Sequence, residues 1–493
     1  MRFSGSMSTT VTNIKKRRIP AALNKILHLS LTAILFNTAN ARVHLPSLIS
    51  DNMILQREST VKLWGSASPN KRITILTSWD RHKYVASSNA EGNWEIKVTT
   101  GMGGGPYEIS LDDGDKVVLK NVLLGEVWVC SGQSNMEMPI KGWKLNQPVF
   151  NAADVLLDAD NENIRLFKVD KFASDSLRKD SKGKWLVSSA QSVYDFSAVG
   201  YFFSKFLQAK LKVPVGMIQA AWGGTAIEGW MSKESLVKFN PEIEGKSKEE
   251  LQKAKYSTLM YNGLINPLIN YTIKGVLWYQ GETNIPEADK YSKLFPAMVS
   301  DWRNRWGLGD FPFYYVQIVP HSYSRGEKLS LQTAYMRDIQ RVVMKSIPNS
   351  GVAIGMDVGD SALEHPPGKE LIARRLLYWA LGKTYLWKGI SFQSPEFKES
   401  LIRNDRILVK FNFATNGMTS YGKPITGFEI AGDDKIFYPA RAVITDEGIE
   451  VSAEKVVKPV AVRYGYKDWM QGCLYNGDGL PLSSFRTDSW NLW

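Results

Sequence analysis

Between about residues 121 and 390, apolar strands alternate with amphipathic helices, and the strands end in glycines or polar clusters. The strand-like runs are GEVWVCSGQSNM (125–136), VPVGMIQAAWGG (213–224), IKGVLWYQGETN (273–284), FPFYYVQIVP (311–320) and GVAIGMDVGD (351–360). FSAVGYFFSKFLQAKL (196–211) sets Val199, Phe202, Phe203 and Phe206 near one face. KELIARRLLYWALGK (369–383) sets Ile372, Leu376 and Trp379 on one stripe, so both segments have helical spacing. Strands alternating with helices predict an α/β layer with a largely parallel sheet. Ligands bind such sheets beyond the carboxyl ends of the strands, where these polar clusters lie.

The flanks read differently. From about 42 to 120, short alternating runs (TVKLWGSA, RITILTSW, HKYVASS, WEIKVTT) are separated by turn-rich pieces, which predicts a small β-sandwich. From about 391 to 493 the pattern returns to β, with RILVKFNFA, ITGFEIAG and PVAVRYGYK. The first 41 residues carry a basic KKRR (15–18), an apolar ILHLSLTAILF (26–36) too short for a comfortable membrane span, and ANA (39–41) before Arg42. They read as an export signal. The predicted division is therefore a signal peptide over 1–41, a β domain over 42–120, an α/β domain over 121–390 and a β domain over 391–493. The location is periplasmic or extracellular, with no stable membrane insertion once the signal is removed.

The formal charge of +12 owes half its value to that leader, which holds six basic and no acidic residues; the rest carries +6. So small an excess on a long chain makes no basic stripe and no case for nucleic acid. Cys130 and Cys473 are the only cysteines. An exported location permits a disulfide, but two buried thiols is the preferred reading. Without a CxxC or a Cys/His cluster, no metal site is predicted.

Ser134 ends the first core strand with small neighbours that would let a substrate approach. A nucleophilic serine needs a base and donors for the developing oxyanion. It is not in a GxSxG elbow. Of five histidines, His365 in EHPPGK is the candidate base, its backbone stiffened by Pro366 and Pro367; His321 is the fallback. Gly223 and Gly224 offer backbone N–H groups at a strand end. Gln280, Glu282 and Asn284 follow another strand, where a Gln amide could donate to an oxyanion and a Glu could orient a His.

Together these pieces resemble the sialate O-acetylesterase family, within the SGNH-type (GDSL-like) hydrolases. The likeness runs through GEVWVCSGQSNM, VPVGMIQAAWGGTAIEGWM, GVLWYQGETN and HPPGKELIARRL, and through both flanks, LPSLISDNMILQR (45–57) and LYNGDGLPLSSFRTD (474–488). It implies an SGNH-hydrolase-like parallel-sheet core between β-sandwich-like regions. It implies Ser134 as nucleophile, His365 as base, and an oxyanion hole of Ser134, Gly223, Gly224 and Gln280. Asn135, Trp222 and Asn284 would meet the substrate, with Trp230 and Trp278 near by. The acid departs from the pattern: Leu363 and Ala362 stand where many relatives carry Asp before the His. Glu282 ranks first, Asp360 second and a bare Ser–His dyad third, with Asp357 also near. The implied activity is removal of O-acetyl groups from sugars, sialic acids foremost, through an acetyl-serine and without metal or cofactor. An acetylxylan or other plant-glycan acetylesterase is the alternative enzyme. A degenerate carbohydrate-binding protein is the alternative of another class.

Overall fold

The computed structural model describes residues 42–492, except 256, 324 and 325 and the side chains of 327–329. The proposed leader lies outside the described residues. The core is a seven-stranded sheet. Its strands are β1 (Lys116–Gly132), β2 (Asn161–Lys168), β3 (Trp185–Ser188), β4 (Val215–Ala221), β5 (Gly275–Tyr279), β6 (Phe313–Val316) and β7 (Ser350–Ala353). They lie in the order β7-β6-β5-β1-β4-β2-β3, all neighbours parallel except the edge pair β2–β3.

Central strands covered on both faces must be apolar throughout, and alternation assigns each residue its side. Trp128 and Cys130 pack with α2 (Ala198–Leu211) and α5 (Lys369–Trp379). Val127 and Val129 belong to the opposite cluster, which includes residues of α3 (Ala288–Trp306) and Met336 of α4 (Glu327–Val342). Trp230, Trp278 and Trp302 meet edge-on inside this second layer and are fully buried. Trp230 and Trp278 are thus packing residues, not a sugar platform. Cys130 and Cys473 are both free and buried.

The register sets the site. Gly132 of β1 pairs with Ala221 of β4 on one side and Tyr279 of β5 on the other. The three strands therefore stop on one line. The loops that follow them, carrying Ser134, Gly223 and Glu282, leave the sheet side by side.

The flanks are antiparallel sheets. The anticipated division at 120/121 falls inside β1, whose first half pairs with Gly104–Asp112 of the N-terminal region. Val61, Leu63 and Ile75 share one apolar cluster with Val127 and Phe313, so core and flank are continuous there. At the carboxyl end, two four-stranded sheets enclose Ile407, Val409, Ile430, Ile449, Val462 and Phe485, a sandwich as anticipated. Among the described residues no helix is long and apolar enough to cross a membrane.

Candidate active site

Gly132 makes the turn into Ser134. Its φ is +134°, and a Cβ there would meet Tyr279 O at 2.1 Å; only glycine tolerates both conditions. The next residue ties the turn down. Gln133 N donates to Tyr279 O at 3.0 Å. Its side-chain Oε1 accepts from Gly281 N at 3.2 Å and Thr283 N at 3.4 Å. Ser134 then opens α1 (Ser134–Glu137), a single turn whose first N–H groups have no partner within the helix. A Cβ on Gly223 would lie 3.1 Å from Ser134 Cβ, which places the glycine loop directly beside the serine.

Ser134 faces a cleft of about 660 Å³, also lined by Gly224, Glu282, His321, Tyr323 and His365. The structure thus brings together serine, glycine loop and histidine. His365 Nε2 is buried and has no hydrogen-bond partner, so the link to Ser134 Oγ is open. Catalytic hydrogen bonds are often long before substrate binds. His365 Nδ1 lies 2.6 Å from Gln147 Oε1, and the Trp143 ring meets the imidazole edge-on at 4.7 Å. An amide oxygen on Nδ1 places the proton there and leaves Nε2 as the acceptor, the tautomer a base requires. Burial, then Lys369 and His321, push the imidazole down from its ordinary value to about 4.

The acid differs from expectation. Nδ1 faces an amide, and both ranked carboxylates are engaged elsewhere. Glu282 Oε1 accepts from Asn135 Nδ2 at 2.7 Å, and burial pushes its carboxyl above the ordinary range. Asp360 Oδ1 accepts from Ala362 N at 2.8 Å and Leu363 N at 3.0 Å, closing the turn before His365. Asp357 makes a two-pronged pair with Arg375. His321, the fallback base, also lines the cleft; its Nδ1 donates to Asp360 O at 2.9 Å.

The oxyanion donors also differ. Gly223 N already donates to Glu137 Oε2 at 2.6 Å, and Glu137 is paired with Lys171. Gln280 is fully buried, and its amide donates to Thr225 O and Asn284 Oδ1, holding two loops together. Gly224 lines the cleft, and a Cβ there would touch nothing within 4 Å. Asn284 is buried between Ile227 N and Glu228, and Asn135 between Lys369 and Glu282; both stand behind the cleft wall. Trp222 is half-buried with the Lys171 ammonium 5.4 Å from its ring. Among the described residues no group of three or more His, Cys, Asp or Glu could hold a metal ion.

Gln147, Glu137 and Lys369 were not singled out from sequence. Lys369 left a trace, because the apolar stripe of Ile372, Leu376 and Trp379 extended back one turn lands on it. Gln147 left none.

A serine at the end of the central strand of a parallel sheet, with a glycine loop and a loop histidine in one cleft, defines an SGNH-like serine hydrolase. Residues 124–361 match the family described as carbohydrate esterase, sialic acid-specific acetylesterase. The fold superposes on the crystal structure of a carbohydrate acetylesterase from Xanthomonas citri with a TM-score of 0.83 and 33% identity, over 91% of this chain and 100% of that one. Sialate O-acetylesterase of Homo sapiens is 29% identical over 410 residues, 75% of this chain and 77% of the relative. That of Rattus norvegicus is 29% identical over 433 residues, 74% and 78% of the two chains. The chain belongs to this carbohydrate acetylesterase family and is an esterase.

Proposed function

We propose that this chain removes O-acetyl groups from sugars, sialic acids foremost, with Ser134 as nucleophile and His365 as base. The observation that carries the reading is the His365 ring: its Nδ1 is held by Gln147, its Nε2 has no partner, and the residue lines the same cleft as Ser134. Ser134 Oγ attacks the acetyl carbonyl carbon as Nε2 takes the hydroxyl proton. The tetrahedral oxyanion accepts from the N–H groups of Ser134 and Gly224, Gly223 N being engaged by Glu137. The intermediate collapses, the bond to the sugar oxygen breaks, and His365 gives its proton to that oxygen. Water, deprotonated by the same imidazole, attacks the acetyl-serine; the bond to Ser134 Oγ breaks, His365 returns the proton to Oγ, and acetate leaves. Gln147 takes the place of the triad acid: it fixes the tautomer without adding a charge.

The test is hydrolysis of para-nitrophenyl acetate by the wild type, Ser134→Ala and His365→Ala, each checked by circular dichroism. Both folded variants should be inactive. Full activity in Ser134→Ala overturns the assignment of the nucleophile, whereas no hydrolysis by the wild type leaves a binding protein. Acetate release from O-acetylated sialic acid, set against acetylated xylo-oligosaccharides, decides the sugar. The leader over 1–41 is proposed to direct export, and a secreted mature chain should begin at Arg42.

A further inference from the structure

One buried charge beside the nucleophile is not used by this mechanism. Lys369 is 1% exposed and stands at the first position of α5, four residues after His365. A lysine rarely lies so deep unless paired. Its Nζ donates to Asn135 Oδ1 at 2.5 Å and lies 5.7 Å from the centre of the Tyr279 ring. Asn135 is the residue after Ser134. Its Nδ2 donates to Glu282 Oε1 at 2.7 Å and to Glu364 O at 3.3 Å. A single buried amide thus joins the nucleophile turn, the loop after β5 and the histidine loop. A cation meets its oxygen and a carboxylate its nitrogen, the arrangement that suits an amide dipole.

We propose that Lys369 is a positioning residue of the esterase: through Asn135 it ties the nucleophile turn to the histidine loop, and its charge sets the pH at which His365 becomes a base. This rests on the assignment of Ser134 and His365 above.

The electrostatics agree in direction. The charge of Lys369, and then that of His321, adds to the burial that lowers His365 to about 4. Burial lowers Lys369 to about 7, against the pull of Glu282. Glu282 also feels Glu364, which works against its charge. Its charge in turn raises the Tyr279 and Tyr323 hydroxyls, behind the burial of each. Glu282 Oε2 is buried with no partner, so Glu282 serves as the counter-charge to Lys369 across Asn135, while the histidine is held by Gln147.

The experiment compares Lys369→Met, Lys369→Arg and the double variant Lys369→Met/Glu282→Gln on para-nitrophenyl acetate, with kcat and KM followed against pH. In Lys369→Met the acid limb of kcat/KM should move up towards neutrality, because a cation that disfavours the imidazolium is gone. Its kcat should fall about tenfold with KM nearly unchanged, as expected when a contact that orients reacting groups is lost. The double variant removes the unpaired carboxylate, so it should recover thermal stability yet keep the displaced limb. Lys369→Arg keeps the charge, so its limb should stay at the wild-type position while kcat falls. A wild-type limb and kcat in folded Lys369→Met, or in the double variant if the single one fails to fold, overturns the proposal. A displaced limb in Lys369→Arg does the same. If His365→Ala is active, the underlying assignment has failed; if it is inactive and the Lys369 variants are indifferent, only this inference has.

Discussion

Replacing Gln147 with glutamate tests how the proposed base, His365, is held. The change is nearly isosteric and sets a carboxylate where an amide oxygen now lies 2.6 Å from His365 Nδ1. Beside that neutral amide the imidazole sits at about 4, lowered first by burial and then by Lys369 and His321. A carboxylate on the same hydrogen bond favours the imidazolium. Two unit charges about 4 Å apart interact by about 4 kcal/mol at an effective dielectric near 20. At about 1.4 kcal/mol per pKa unit that is roughly 3 units. The ring borders an open cleft, so solvent screening brings the shift to roughly 1–3 units. Base catalysis needs the neutral ring, so activity is lost as pH falls through this pKa. The acid limb of kcat/KM should therefore move upward, to roughly pH 5–7 in Gln147→Glu. The assay is kcat/KM for para-nitrophenyl acetate across the acid and neutral range, with circular dichroism to confirm folding. Gln147→Leu removes the acceptor without adding charge, so its limb should stay low while kcat falls about tenfold, the value of one orienting hydrogen bond. An unmoved limb in folded, active Gln147→Glu would refute the reasoning.

Other perturbations follow from packing. Gly132→Ala forces a Cβ to 2.1 Å from Tyr279 O at a φ of +134°, so chemical denaturation should show a loss of about 2–5 kcal/mol. Arg337 is fully buried and donates to Gly465 O, Lys467 O, Asp468 O and Ser484 Oγ. Arg337→Met strands those acceptors and should cost about 3 kcal/mol or more in the same measurement. Burial pushes the Cys130 thiol up to about 12, and Cys473 is 8% exposed. Neither should react with a thiol reagent in the native protein, and both should react in denaturant.

What could be read from the sequence was what repeats or punctuates. The stripe of Val199, Phe202 and Phe206 marked α2, which runs Ala198–Leu211, and the glycines at 132, 223 and 224 marked strand ends. Buried strands announce themselves because both faces exclude water. The division at 120/121 failed because turn signals mark where a chain bends, and β1 passes from one sheet to the other without bending out of strand. The partner of His365 was unreadable for a different reason. Gln147 reaches it across 218 residues, from a turn in which Trp143 N donates to Gln147 O at 2.8 Å. No spacing along the chain encodes such a contact. Residue type adds to the difficulty: His365 Nδ1 meets an amide, while the carboxylate of Glu282, which lines the cleft, accepts from Asn135.

The segment that matches the family, 124–361, holds Ser134 and Gly224 but stops before His365 and Lys369. The cleft also needs what lies beyond. His321 and Tyr323 form part of its wall, and both are held by Asp468 of the C-terminal region. His321 N donates to Asp468 O at 3.1 Å, and Tyr323 N to Asp468 Oδ2 at 3.2 Å. Ser330 Oγ, near the start of α4, donates to the other carboxylate oxygen at 2.9 Å. Arg337, on the same helix, pins the carbonyl of that aspartate and the backbone just before it. Buried side-chain-to-backbone bonds of this kind leave desolvated carbonyls when broken, so wall and sandwich order together. At the other end, β1 carries Ser134 at its tip and the N-terminal sheet along its first half. The α/β core therefore supplies the proposed nucleophile and base, while the flanking β regions fix one wall of the cleft and the root of its central strand.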